Sequence, residues 1–250
     1  MGVSSVTVLL MVFVTTYVVQ ATNPASEFFQ ICHRSDPDIS SCIKNTLEDL
    51  RPLLIKGIPE LYIVPMDPLN IPRLGYKEVN GNFEMEQILS NVTIHGIGQS
   101  KVLDVRMDFD TLTMELRMKI PSLIITADYE MKGKVLALSM EGKGDCTLKF
   151  TEVTTTCRTL FEMENRGGQQ FLEVKDLKWT LGARNSHFQF NNLFGGDKTL
   201  GKMANTFLNE NSREAFKTYK HLPEEGFGIL FKNISNNVYR KFSFKELFPE

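Results

Sequence analysis

Residues 112–131, LTMELRMKIPSLIITADYEM, carry the reading on which the fold turns. Leu112, Met114, Leu116, Met118 and Ile120 alternate with polar residues, and so do Leu123, Ile125, Ala127, Tyr129 and Met131. A period of two marks a half-buried strand. The apolar parity reverses between Ile120 and Leu123, and a reversal needs a bulge, a bend or a tight turn. The same alternation continues outward. Phe83 and Met85, Val92 and Ile94, then Leu103, Val105, Met107 and Phe109 precede the stretch; Leu136, Leu138 and Met140 follow it. Parity flips again between Phe109 and Leu112. Asp110-Thr111 is a poor hairpin turn, whereas Lys132-Gly133-Lys134 and Glu141-Gly142-Lys143-Gly144 are better ones. A few long strands, bent by bulges in an antiparallel meander, fit best, and bulges are how a sheet curls around something.

Both flanks are different. Asp36-Pro37-Asp38 predicts a helix start, with a capping Asp and Pro at the first helical position. Ile39, Cys42, Ile43, Leu47, Leu50, Leu53 and Leu54 then form a helical stripe. Pro52 is expected to kink or end it, and Gly57 to stop it. GIPELYIVPMDPLNIPRL, residues 57–74, holds Pro59, Pro65, Pro68 and Pro72 and reads as an extended connector with apolar side chains that still need burial. Beyond Phe190 the helical period returns. One stretch starts at Asp197 with Leu200, Met203, Phe207 and Leu208. A second runs from Asn211-Ser212 through Phe216, Phe227, Phe231, Ile234, Val238 and Phe242, interrupted at Pro223. So much amphipathic helix needs a long apolar partner, which a curled sheet supplies.

The first 21 residues read as a secretory signal peptide. They are an uncharged start, the apolar run VTVLLMVFVTTYVV and the cleavable Val19-Gln20-Ala21. The run is short for a membrane span, and nothing later approaches one. Residues 22–250 are then one soluble, extracellular domain, because no linker or low-complexity segment divides them. The net charge is −2 and there is no basic stripe. Nucleic acid and stable membrane insertion are therefore not expected. With no heptads or exposed apolar stripe, a monomer is the default. Asn91-Val92-Thr93 and Asn233-Ile234-Ser235 are glycosylation sequons.

Four cysteines in a secreted chain suggest disulfides. Cys32 and Cys42 are close enough for a short structural loop worth about 2 to 3 kcal/mol. One long strand would hold Cys146 and Cys157 up to ~36 Å apart, too far to bridge. A turn near Thr151-Glu152 would bring them together; the unbridged arrangement is favoured. No metal-ligand spacing, G-x-S-x-G elbow, phosphate loop or H-E-x-x-H occurs, and His33, His95, His187 and His221 are scattered. Gly96-Ile97-Gly98-Gln99-Ser100 reads as a strand end. No catalytic residue, cofactor or metal is assigned.

The Cys32/Cys42 pair, the helix after it and residues 57–74 resemble the insect takeout and juvenile hormone-binding protein family. EGKGD at 141–145, NNLFGGDKTLGKMANTFLNEN at 191–211 and the terminal ELFPE at 246–250 extend the resemblance over the chain. It implies an α+β fold: a long, highly curved antiparallel sheet wrapped around a long C-terminal helix, enclosing an elongated apolar tunnel of the tubular lipid-binding type. It also implies a disulfide at Cys32 and Cys42, carriage of a terpenoid such as juvenile hormone or of a fatty-acyl lipid, and, for the takeout branch, a link to circadian and feeding regulation. The FLNEN and ELFPE segments resemble the takeout branch; Cys146 and Cys157 depart from its pattern.

A secreted carrier with a dry interior follows from the strand and helix faces together with this resemblance. Candidate lining residues are Met107, Phe109, Leu116, Met118, Tyr129, Phe150, Trp179, Phe188, Phe190, Phe227 and Phe231, with Tyr129 or Trp179 offering a hydrogen bond to a polar ligand end. A protein-interaction module with a filled core is the alternative. An extracellular lipid-modifying enzyme would need a convergent polar cluster that the spacing does not show.

Overall fold

The computed structural model describes residues 23–80, 83–135 and 138–250. The expected signal segment at 1–21 and the strand residue Leu136 lie outside them. Seven strands among the described residues build one antiparallel sheet. They are β1 (Leu69–Asn80), β2 (Phe83–His95), β3 (Lys101–Asp108), β4 (Thr113–Val135), β5 (Leu138–Arg166), β6 (Gln169–Gly182) and β7 (Asn185–Phe190). The helices are α1 (Ile39–Lys56), α2 (Lys198–Glu210), α3 (Ser212–Tyr219), α4 (His221–Lys241) and α5 (Phe244–Leu247).

β4 and β5 form the spine, paired from Val135↔Leu138 to Thr113↔Leu160. Each is long enough to take two partners on its outer edge. β2 pairs with β4 at 124–133 and β3 at 113–119. β7 pairs with β5 at 146–151 and β6 at 154–166. The changeover falls where the apolar parity flips. Ile120 and Leu123 are both buried on β4, as are Cys146 and Val153 on β5. Pairs Ile120↔Val153 and Ser122↔Thr151 nevertheless keep one register. The two strands change face together, at Pro121, which has no N–H to give, and at Glu152, whose φ is 48°. A matched kink lets both halves of the sheet keep their apolar face inward while the sheet bends. β5 is thus one strand, and Cys146 and Cys157 are separate, buried, free thiols.

The structure corrects the turn assignments. Asp110-Thr111 does lie in the β3–β4 turn, because the Asp108 carboxylate accepts the N–H groups of Asp110 (2.9 Å) and Thr111 (3.0 Å). Residues 132–134 and 141–144 are interior to β4 and β5. Gly142 and Gly144 serve close approach, not turning. A Cβ on Gly144 would stand 2.4 Å from the Asn191 carbonyl, and one on Gly142 would stand 3.0 Å from Leu193 Cα. The proline-rich connector also ends early. Leu69 already begins β1, and Pro72 is tolerated because β1 is an edge strand.

The helices begin and end for local reasons. α1 starts two residues after Pro37, with the Asp36 side chain accepting the Asp38 N–H at 2.8 Å, and it carries Pro52 inside instead of ending there. Gly57 closes it at φ 83°, where a Cβ would lie 2.8 Å from the Ile63 carbonyl. Asp197 caps α2 by accepting from Thr199 and Leu200. Pro223 sits in the first turn of α4, a compatible place. On α2, Asn205 and Asn209 act as a false strand for β7. Asn205 accepts from Phe190 N and donates to Phe190 O, both at 2.9 Å, and Asn209 does the same with Phe188 at 2.9 and 2.8 Å. The helix thereby covers an exposed edge.

Candidate functional site

The kink divides a solid half from a hollow one. Around residues 123–150 the space is filled: Tyr129, Met140, Cys146, Phe190 and Leu193 pack with Ala204, Leu208 and Ala215 of α2 and α3. Around residues 114–123 of β4, 155–159 of β5 and 177–181 of β6 the sheet instead faces an apolar cavity of about 350 Å³. α1 lines it with Ile43, Leu47, Leu50 and Leu54, and α4 lines it with Phe227, Phe231, Ile234 and Val238. These are one-face spacings of an α-helix. Ile58, Leu61, Ile63 and Met66 of the connector and Leu247 and Phe248 of the terminal segment complete the wall.

That terminal segment is held in place by hydrogen bonds. Glu246 and Ser243 form a reciprocal capping box. Arg34, two residues past Cys32, donates its backbone N–H to the Pro249 carbonyl at 2.7 Å and Nε to the Phe248 carbonyl at 2.9 Å. Cys32 and Cys42 are bridged, with Cα atoms 5.8 Å apart, which ties the same loop to the first turns of α1.

Leu116, Met118, Trp179, Phe227 and Phe231 of the sequence candidates border the cavity. Trp179 stacks on Phe231 with ring centroids 4.5 Å apart and planes at 13°. The other six do not line it. Tyr129 meets Phe190 edge-on at 5.1 Å and donates to the Asn191 carbonyl at 2.6 Å, so its hydroxyl is already used. Phe150 packs on Phe188 and Phe216 in the solid half. Phe109 packs against Phe244 and Phe248, and Met107 joins the same terminal cluster. Period-two reading gives the inward face of a strand, but not which stretch of that face is filled by a helix laid over it.

Polar groups in the wall are few. Glu48 and Arg51 pair at 2.7 Å, with Arg51 also donating to the Ser100 carbonyl and Glu48 accepting from Val102 N. Thr155, Cys157 and Thr159 project from successive inward positions of β5, all under 5 % exposed. The Cys157 thiol lies 3.7 Å from the Thr159 hydroxyl, and burial pushes its pKa up to about 11. Burial likewise pushes the Tyr239 hydroxyl up to about 12. Both stay neutral at physiological pH. Sequence reasoning missed the α1 face, the connector residues and the three β5 residues as lining groups. The α1 stripe was visible, but its partner was not.

Residues 8–249 match the family described as haemolymph juvenile hormone binding protein. The chain belongs to this family. The circadian clock-controlled protein daywake of Drosophila yakuba is 24% identical over 219 residues, covering 83% of each chain. A putative beta-carotene-binding protein of Schistocerca gregaria is 21% identical over 224 residues, with 88% of each covered. Takeout 1 of Epiphyas postvittana shares the fold, with a TM-score of 0.74 at 20% identity over 88% of this chain and 99% of that one. The family is one of binding proteins for small hydrophobic ligands, and the curved antiparallel sheet with its C-terminal helices is the family fold. Among the described residues no helix is long and apolar enough to cross a membrane.

Proposed function

We propose that this protein is a secreted carrier, not an enzyme, that holds one small hydrophobic ligand, a terpenoid or a fatty-acyl lipid, between the hollow half of its sheet and the inner faces of α1 and α4. One observation carries the reading: the cavity wall is built from aliphatic and aromatic side chains on every side, and such a space favours an apolar occupant over water. The family's description as a juvenile hormone-binding group and the name of the Schistocerca relative support a terpenoid-like ligand. The bridged Cys32–Cys42 pair supports an oxidising, extracellular compartment, reached through removal of residues 1–21. Asn91 and Asn233 are exposed and are the proposed glycan sites. The daywake names support expression under circadian control.

Native mass spectrometry of the secreted, deglycosylated protein tests the reading. Extra native mass that extracts into organic solvent is expected. A folded but empty protein that also takes up no terpenoid or fatty-acyl probe would overturn it in favour of a protein-interaction module.

A further inference from the structure

Among the described residues, two buried side-chain polar atoms have no hydrogen-bond partner: Thr155 Oγ1 and Trp179 Nε1. Both belong to residues that line the cavity. Thr155 and Trp179 are 3 % and 9 % exposed. Buried polar groups are almost always paired, so two orphans bordering one cavity call for a shared explanation.

Register puts them together. Thr155 pairs with Leu181 and Cys157 with Trp179, so Thr155 and Trp179 are diagonal neighbours on one face of β5 and β6. Diagonal neighbours lie within about 7–8 Å, a gap that an indole spans. Trp179 is held in orientation by its stack on Phe231. The next buried hydroxyl on the same face of β5, that of Thr159, is engaged with the Cys157 thiol.

The chemistry of the two atoms selects the occupant. An indole N–H only donates; a threonine hydroxyl donates or accepts. Their common demand is an acceptor with lone pairs. Glu48 and Arg51 are the acidic and basic side chains among the described lining residues; they pair at 2.7 Å, and each has one hydrogen bond to backbone as well. The one basic side chain among the described lining residues is thus already offset by a carboxylate, which disfavours an anionic head group. We propose that Thr155 and Trp179 form a hydrogen-bonding station for a neutral carbonyl oxygen, that of a ketone or an ester, on an otherwise apolar ligand. The inference rests on the carrier reading and adds the ligand's polar chemistry and the place where that group is held.

Delipidated protein is assayed by displacement of a fluorescent naphthylamine probe, using a long-chain methyl ketone, the hydrocarbon of matched length and the corresponding carboxylate. The ketone should bind about tenfold more tightly than the hydrocarbon, the factor expected for one satisfied buried pair. Thr155→Val and Trp179→Phe should each shrink that ketone-to-hydrocarbon ratio, whatever change in hydrocarbon affinity the altered wall itself brings. Trp179 is the single tryptophan. Its indole N–H marker in the ultraviolet resonance Raman spectrum of the unsubstituted protein should therefore shift with ketone and not with hydrocarbon, whether or not the variants fold. Equal affinity for ketone and hydrocarbon, an unchanged ratio in both variants, tighter binding of the carboxylate, or an unshifted marker overturns the station and leaves the carrier standing. Failure of the folded protein to bind any of the three ligands overturns both.

Discussion

The division into a solid and a hollow half predicts that the same substitution costs different amounts on the two sides of the kink. Leu193 is 1 % exposed and packed within the filled cluster, while Leu116 borders the cavity. Leu193→Ala removes contacts on all sides and leaves a new void, which costs about 3 to 5 kcal/mol. Leu116 packs against the Cys32, Ile43 and Val105 cluster but also opens on the cavity, so Leu116→Ala enlarges an existing space and loses mainly the transfer term, about 1 to 2 kcal/mol. For a chain of this length those losses correspond to roughly 6–20 °C and 2–8 °C in midpoint. Urea denaturation of delipidated protein, followed by Trp179 fluorescence, measures both. Ligand affinity should change for Leu116→Ala and hold for Leu193→Ala. Equal destabilisation by the two, or an affinity loss confined to Leu193→Ala, would refute the hollow half and with it the placement of the ligand.

Further expectations follow from the same geometry. Gly144→Ala places a methyl group against the Asn191 carbonyl and should cost about 1–3 kcal/mol or more; Gly167→Ala, with φ 56° and nothing within 4 Å, should cost about 1–2 kcal/mol from backbone conformation alone. Asn205→Ala leaves the Phe190 N–H and C=O without their α2 partners and should destabilise by about 1–3 kcal/mol, with hydrogen exchange rising at β7 before the rest of the sheet. Burial pushes Cys146 and Tyr129 up to about 12, Cys157 to about 11 and Tyr239 to about 12. Each folded pKa is raised, so stability is full below the unfolded thiol value of about 9 and falls as pH climbs through 9 to 12. Denaturation midpoints measured against pH should be flat near neutrality and drop only in that alkaline window. A drop below pH 8 would contradict the burial of these groups.

Period alone made β4 and β5 legible, because a strand with one buried face writes that face into every second residue. Parity reversal at Ile120–Leu123 also showed in the letters, and so did the bend it required. What it joined did not. Gly142 and Gly144 looked like turn residues because glycine serves both turning and close approach, and only the crossing of residues 191–193 over β5 tells the two apart. Asp110-Thr111 looked unfit for a turn because the residue that builds it, Asp108, lies outside the dipeptide. The Cys32 and Cys42 pair, the helix start at Asp197 and the stop at Gly57 are local features and are readable as such.

Strand faces, helical stripes and the apolar character of the interior are legible in the order of residues, since each depends on neighbours within a turn or a pleat. Which inward residues touch one another and which touch a cavity follows only from how distant segments pack. Tyr129, Phe150, Phe188 and Phe190 lie under α2 and α3, while Trp179, Phe227 and Phe231 are grouped around open volume. Packing is a property of opposed surfaces, and α1 and α4 meet the hollow half of the sheet from distant parts of the chain. The same distance in sequence hid Thr155 as a partner to Trp179, because only the β5–β6 register makes them neighbours.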